Sequence, residues 1–540
     1  MKKILLYWNT LRFLKPIQIY YQLKKLFLKK SGVSLAVPSL HRRELKRTFI
    51  QPILEFSAFF KKNKICLLHQ ANTYSPALWN DSTPEKLWSY NLHYFDYLNA
   101  NSPKDRDHAL RLVSDWIQYN PPFSGTAWEP YPLSLRIVNW IKFQLCKPNL
   151  PQQALESLYL QARFLYRNLE YHLLGNHLVA NLKALIFAGL FFDTPESQQW
   201  LRLGLKLLQQ ALDEQILKDG GHFELSPMYH NIILEDLLDL MNLLQTYGNS
   251  LTTEQMNKIN QMFQWSQKLC HPDEKIAFFN DSSLEIAPTY ADLSLYAQRL
   301  SFKPSSLPET PCFYLQDSGF IRVHQPHFLM LMDVAEVGPA YLPGHAHADT
   351  LSFELSVHGQ RLFVNPGCYS YQDLAIRRYI RSTAAHNTVE VDGLDSSEMW
   401  GAFRVARRAH PRRVHIKSSN EQIHISAQHD GYLRLPGKVL HQRDFYITPL
   451  SITIEDQLYG NSKTATAYFH LHPNISAELI SAHQLLLHLP YSKTISLSSE
   501  QAIEIIDAPY SDHFGILGLH QVLLIKFIKE FKNKLTVEVR

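Results

Sequence analysis

Pro343-Gly344-His345-Ala346-His347-Ala348-Asp349-Thr350-Leu351-Ser352-Phe353-Glu354-Leu355-Ser356-Val357-His358-Gly359-Gln360-Arg361-Leu362-Phe363-Val364-Asn365-Pro366-Gly367 carries two kinds of information at once. From Thr350 to Val357 polar and apolar residues alternate, so Leu351, Phe353, Leu355 and Val357 share one face of a strand. Thr350, Ser352, Glu354 and Ser356 share the other. His358-Gly359 turns the chain into a second apolar run, Leu362–Val364, which stops at Asn365-Pro366-Gly367. Just ahead of this hairpin stand His345, His347 and Asp349 at alternate positions. A titratable cluster anchored to a rigid hairpin holds proton-transfer or metal-binding groups still.

Working outward, similar short alternating runs recur from about residue 310 to the end, punctuated by turn residues. They predict an antiparallel β-sandwich over 309–540. Upstream the period is helical. Residues 104–118, 131–147, 152–172, 177–192, 197–217, 228–247 and 253–269 each read as an amphipathic helix, separated by Pro, Gly or Asn-Ser breaks. Their spacing suggests paired antiparallel helices over 85–303, in a bundle or a closed α/α toroid. No sequence repeat is legible. Lys303-Pro304-Ser305-Ser306-Leu307-Pro308 is the expected boundary. The fold class is therefore α+β and multidomain, with residues 1–84 as a basic segment that packs on or extends the helical domain.

A chain of 540 residues, 45% of them hydrophobic, has ample core for two domains. A net charge of +5 supplies no field for nucleic acid. The five cysteines are odd in number and scattered, so neither a disulfide framework nor a Cys-x-x-Cys metal site follows. No apolar run approaches the roughly 20 residues that span a bilayer. Residues 1–30 contain eight Lys or Arg and no acid. The apolar run Ile4–Trp8 is short and lacks a following small-residue cleavage site, so no clear export signal is read and localisation stays open. Two readings of this stretch remain: a basic amphipathic segment resting on an anionic membrane surface, or a helix packed on the body with its lysines solvated.

Four segments carry candidate chemistry. In Trp128-Glu129-Pro130-Tyr131-Pro132-Leu133-Ser134-Leu135-Arg136 an aromatic loop enters a helix, with Arg136 placed to grip a carboxylate or to make a structural ion pair. In Gly175-Asn176-His177, Asn176 is either an N-cap or, with His177, a donor pair for an anionic group at a helix N-terminus. In Asp219-Gly220-Gly221-His222-Phe223-Glu224-Leu225-Ser226-Pro227-Met228-Tyr229-His230, the Ser-Pro start places Tyr229 and His230 at a helix mouth. The last comprises the opening cluster, Arg377-Arg378-Tyr379 and Ala385-His386-Asn387-Thr388. There His386 with His347 and a third ligand would make a zinc site.

These segments, in this order, resemble the heparinase II/III-like family of polysaccharide lyases, close to alginate and oligoalginate lyases. The resemblance covers roughly residues 85–430. It implies a toroid, a β-sandwich and a cleft between them, in which an anionic uronic-acid-containing glycan is cleaved by β-elimination. That chemistry must quiet the carboxylate, remove the C5 proton and protonate the leaving O4. By resemblance Asn176 and His177 take the carboxylate, and Tyr229 donates to the glycosidic oxygen and is a candidate base. His345 is the other candidate base. Trp128, Tyr131, Arg136, Glu224 and His230 shape the subsites. A second tyrosine comes from Tyr369, Tyr371 or Tyr379, with Tyr379 placed among the substrate-binding residues. The family's structural zinc position corresponds to His347, Asn365 and His386, where Asn365 replaces a carboxylate with a poor ligand. Two rivals stand beside the lyase: a non-catalytic glycan-binding or assembly protein of an envelope-polysaccharide pathway, and a hydrolase. The hydrolase needs a carboxylate partner for Glu224, and only Asp219 is near it in sequence.

Overall fold

Apolar residues recurring every three or four positions between 86 and 299 fold, in a computed structural model, into helices around one core. The structure describes residues 2–27, 33–52, 60–61, 63–99, 103–147, 149–419, 421–527 and 532–539. The helical half comprises α3 (Lys86–Tyr94), α4 (Pro103–Tyr119), α5 (Pro130–Cys146), α6 (Gln152–Arg167), α7 (Gly175–Phe191), α8 (Pro195–Gln215), α9 (Pro227–Thr246), α10 (Thr253–Lys268) and α11 (Tyr290–Arg299). Two further helices, α1 (Lys2–Leu11) and α2 (Pro16–Phe27), precede them. Several starts are written locally: Thr194, Thr252 and Thr289 close capping boxes with Ser197, Gln255 and Asp292. α7 is apolar all round, and it is buried against α5, α8 and α9 at the centre of the toroid. α6 ends at Arg167 rather than 172, because the Asn168 side chain turns back to donate to the Phe164 carbonyl at 2.8 Å.

The C-terminal half is antiparallel, with sheets of five, four and eight strands. The five-stranded meander runs through Cys312–Leu315, Phe320–Gln325, Phe328–Asp333, Phe353–Val357 and Gln360–Phe363. Phe353, Phe363, Phe445 and Phe469 meet in the core between sheets, which is the expected sandwich packing.

The opening hairpin differs from its reading in two ways. The strand begins at Phe353, because Leu351 takes a left-handed φ of 67° and bends the chain. A bulge between Leu355 and Ser356 then moves the pairing by one residue, setting Leu355 opposite Phe363 and Ser356 opposite Arg361. Its polar face does not meet water. Glu354 is buried, where its carboxylate accepts the N–H groups of Phe278 (3.1 Å) and Asn365 (2.9 Å) and lies 2.7 Å from His271 Nε2. That face is the seam with the helical half.

Candidate active site

The chain enters α7 through two left-handed residues, Leu174 (φ 66°) and Gly175 (φ 54°). A Cβ on Gly175 would lie 2.3 Å from Leu342 and 2.5 Å from the Glu224 carboxylate, so only glycine fits. Asn176 is therefore not the N-cap but the second residue of the helix. Its backbone N–H donates to Glu224 Oε1 at 2.9 Å, and its side-chain amide reaches both carboxylate oxygens at 3.0 and 2.9 Å. The Glu224 carboxylate thus sits on the positive end of α7. His177 Nδ1 lies 3.3 Å from Glu170, and its ring packs on Tyr131 at 4.3 Å between centroids. Burial opposes charge on this imidazole, but the Glu170 carboxylate outweighs it and raises the pKa.

Ser226 caps α9 by accepting the Tyr229 N–H at 3.2 Å, which fixes Tyr229 in the first turn. The Tyr229 ring lies on that of His345, with centroids 3.9 Å apart, and its hydroxyl meets the Tyr371 hydroxyl at 2.8 Å. Burial pushes both phenols well above their ordinary pKa, so each keeps its proton.

Residues 279–283, which the sequence reading did not single out, form the keel of the site. Asn280 donates to the Leu225 carbonyl and accepts the His347 N–H, and the Asp281 N–H donates to the His345 carbonyl. The Asp281 carboxylate is held by Arg377, with Nη2 at 2.8 Å, and lies 2.9 Å from both His345 Nδ1 and His347 Nε2. Burial opposes its charge, yet Arg377 and the two histidines keep the carboxyl well below the usual range. A carboxylate at Nδ1 fixes the Nδ1–H tautomer of His345 and leaves Nε2 as the basic nitrogen. That Nε2 is 3.5 Å from Glu224.

These groups line one cleft of about 1530 Å³ between the halves. Tyr131, Asn176, His177, Glu224 and Tyr229 come from the helical side, and His345, Tyr371 and Phe403 from the other. Comparisons with known proteins match both halves of the chain. The family models described as "Heparinase II/III N-terminus" and "Heparinase II/III-like, C-terminal" match residues 87–305 and 308–533, together most of the chain. The chain belongs to the heparinase II/III-like family. A heparin-sulfate lyase of Bacteroides stercoris is 27% identical over 369 residues, covering 62% of this chain and 52% of that protein, so the chain spans about half of that relative's length. FtsZ-localized protein C of Caulobacter vibrioides is 22% identical over 437 residues, covering 74% of this chain and 72% of that one. A crystal structure of heparinase III shares the fold, with a TM-score of 0.67 at 18% identity over 87% of this chain and 79% of that one.

The metal position implied by the resemblance has a different donor set in the structure. Asn365 accepts from His386 Nδ1 at 3.0 Å and so serves that ring rather than a cation. His386 Nε2 and His347 Nδ1 face each other at 3.2 Å, close to the roughly 3.3 Å between two ligands of a tetrahedral zinc with 2.0–2.1 Å bonds. The Asp349 carboxylate lies within 4.8 Å of a ring nitrogen of each histidine, and its Oδ2 is buried with no hydrogen-bond partner. Burial lowers the pKa of both imidazoles, so they are neutral and ready to bind a metal. His347, Asp349 and His386 could hold a metal ion, with a carboxylate at 349 rather than the amide at 365 as the third donor.

Four expected substrate contacts lie elsewhere. Arg136 is fully buried, donating to Gln161 and the His93 and Ala127 carbonyls, with Trp116 under its guanidinium at 3.9 Å. It is a structural strut that no glycan reaches. Trp128 is buried among Trp116, Phe123 and Phe164, where it packs the toroid core. His230 is enclosed by Trp265 and spans from the His222 N–H to the Met262 carbonyl. Tyr379 sits on α12 (Ala375–Ile380), away from the cleft that Tyr371 lines. Asp219, the carboxylate near Glu224 in sequence, is occupied by the Ser318 N–H and hydroxyl at 2.7 and 2.9 Å.

Proposed function

We propose that this protein is a polysaccharide lyase that cleaves a uronic-acid-containing glycan by β-elimination in the cleft. The observation that carries the reading is the meeting of Asn176, Tyr229, His345 and Tyr371 around one point between the halves. The Asn176 and His177 side chains, at the N-terminus of α7, stand where the substrate carboxylate and its developing enolate-like charge would lie. His345 Nε2 takes the C5 proton. The C5–H electron pair forms the C4=C5 double bond as the C4–O4 bond breaks, and the Tyr229 hydroxyl protonates the departing O4. The proton taken by His345 passes back to the Tyr229 oxygen, which the Tyr371 hydroxyl holds by hydrogen bond while it is short of a proton. A metal ion held by His347, Asp349 and His386 would brace the loop that carries His345.

The charge of the cleft supports a sparsely sulfated polymer. Carboxylates are about as numerous as Lys and Arg along its lining. Its buried lysines are already paired, Lys142 with Asp239 at 2.5 Å and Lys183 with Asp236 at 2.6 Å. Lys86, Lys275, Arg404 and Arg408 are the Lys and Arg of the lining that remain to meet sulfate, fewer than a densely sulfated chain would use. Purified protein is to be incubated with alginate, hyaluronan, unsulfated heparosan-type polymer and heparan sulfate. The expected result is new ultraviolet absorbance from an unsaturated uronate, greatest on an unsulfated polymer. Absence of unsaturated product on every uronate, or a product that has gained one water per cut, would refute the elimination.

One alternative is a non-catalytic glycan-binding role in the envelope, and FtsZ-localized protein C, similar over about three quarters of both chains, is named for where it localises rather than for a reaction. If Tyr229→Phe leaves function in the cell intact, that alternative stands.

A further inference from the structure

α1 and α2 attach to the body by the wrong side. In α2 the residue turned inward is Gln18, only 4% exposed, which donates to the Leu173 and Tyr341 carbonyls. Tyr21 packs beside it on Tyr171. The outward side carries Ile19, Leu23 and, 71% exposed, Leu26, spaced as one helix face. In α1, Tyr7 and Thr10 meet Trp400 and Val405, while Ile4, Leu5, Trp8 and Leu11 face solvent, with Ile4 at 73% and Trp8 at 65%. Ten of the 28 exposed large hydrophobic residues on the described surface fall between residues 4 and 26. A patch this dense marks an interaction site.

Its charge names the partner. The eight Lys or Arg among residues 1–30 meet no acid in that stretch, and Lys3, Arg12 and Lys24 are exposed beside the apolar face. Residues 28–32, which include the last two of these lysines, lie outside the described residues. We propose that α1 and α2 form a docking surface for an anionic lipid bilayer. Helices of 10 and 12 residues are about 15 and 18 Å long, too short to cross a hydrocarbon core of about 30 Å. They lie in the interface plane, with leucine and isoleucine sunk, Trp8 and Tyr20 at headgroup level and the cations on lipid phosphates. Leu11 and Gln18 also line the cleft, so docking brings its mouth to the membrane surface.

The test floats the full chain with phosphatidylglycerol–phosphatidylcholine vesicles and with pure phosphatidylcholine vesicles. Recovery is expected with the anionic vesicles, weakened by salt. The triple variant Lys3→Gln, Arg12→Gln, Lys24→Gln is expected to lower partitioning roughly a hundredfold. The double variant Trp8→Ser, Leu23→Ser is expected to abolish it with the melting temperature unchanged, since both side chains face solvent. Equal recovery on neutral and anionic vesicles, or none on either, overturns the proposal. So does a concentration-dependent dimer that Trp8→Ser abolishes, which would put a second copy on the patch. The readout is independent of turnover.

Discussion

Replacing Asp281 by Asn removes one negative charge and almost no volume, yet it is expected to cost this protein more than any cavity-forming change at the site. Asp281 and Arg377 are both fully enclosed. The guanidinium's other neighbours are the Ala402 carbonyl at 3.1 Å, the Cys368 sulfur and the faces of Tyr371 and Phe403, none of which carries a full charge. With Asn at 281, Arg377 becomes an unpaired buried cation, for which the loss is about 3–5 kcal/mol. That is a large part of the roughly 5–15 kcal/mol that stabilises a domain. The folded carboxyl titrates below its unfolded value. Its stabilisation is thus complete above about pH 4 and is lost only as pH falls through the depressed value. A measurement at pH 7 captures all of it.

The assay is urea unfolding by calorimetrically checked transitions, since two halves need not unfold together, with turnover followed by ultraviolet absorbance. Asp281→Asn is expected to lower both. Adding Arg377→Met removes the orphaned cation and is expected to restore at least about 2 kcal/mol, because the two residues are in direct contact. Turnover stays lost in the double variant, because His345 Nδ1 still lacks its carboxylate. A single variant within about 1 kcal/mol of the parent, or a double variant whose loss equals the sum of the singles, would refute the assignment of Asp281 and Arg377 as one charge-compensated unit.

Three other outcomes follow from the same geometry. Tyr229→Phe is expected to lower turnover by about 10²–10⁴-fold and Tyr371→Phe by at least about tenfold, with Tyr379→Phe unchanged, all read by product absorbance. Elemental analysis of the purified chain is expected to find about one zinc per chain, sharply reduced in Asp349→Asn and retained in Asn365→Asp; equal metal content in all three would remove Asp349 from the donor set. Burial drives His93 and His230 down to about 3, so the unfolded chain binds protons there first. Stability is present above the ordinary histidine value of about 6.5 and is expected to fall as pH drops from there toward 3. Each ring contributes about 1.4 kcal/mol per unit of displacement, read from denaturation midpoints across pH.

The seven long helices were legible because each writes its own breaks into consecutive residues, α7 around an almost wholly apolar run and the others around an apolar stripe. The cleft residues at α7 and α9 were legible because Gly175 and Ser226-Pro227 announce helix starts, and a helix start is where a side chain can face a cleft. Arg136 shows the limit of such reasoning. It too stands one turn into a helix after an aromatic loop, but its partners come from α6, from the last turn of α3 and from the short turn at residue 127. Nothing within ten residues of Arg136 distinguishes a glycan-binding guanidinium from an enclosed strut. Tyr371 and Tyr379 differ by eight positions, and only the turn into α12 decides which of them faces the cleft.

Two signals were present and unused. Phe278-Phe279-Asn280-Asp281-Ser282-Ser283 sets four short polar residues directly after two phenylalanines, far from either helix that flanks it. A surface loop has no reason to follow so apolar a lead-in, whereas a buried polar keel does, since enclosed backbone groups need side chains that satisfy them. The strand Phe353–Val357 makes the same point. Strict alternation separates two faces without saying what covers the second, and a solvated face would ordinarily use long, freely charged side chains. Here Glu354 stands between Ser352 and Ser356, a single acid flanked by two small hydroxyls, which leaves room for His271 and the Phe278 N–H to reach it. Small polar neighbours around one carboxylate mark a packed interface. The seam between the halves, and with it the position of the cleft, is encoded in that choice of residues rather than in the period.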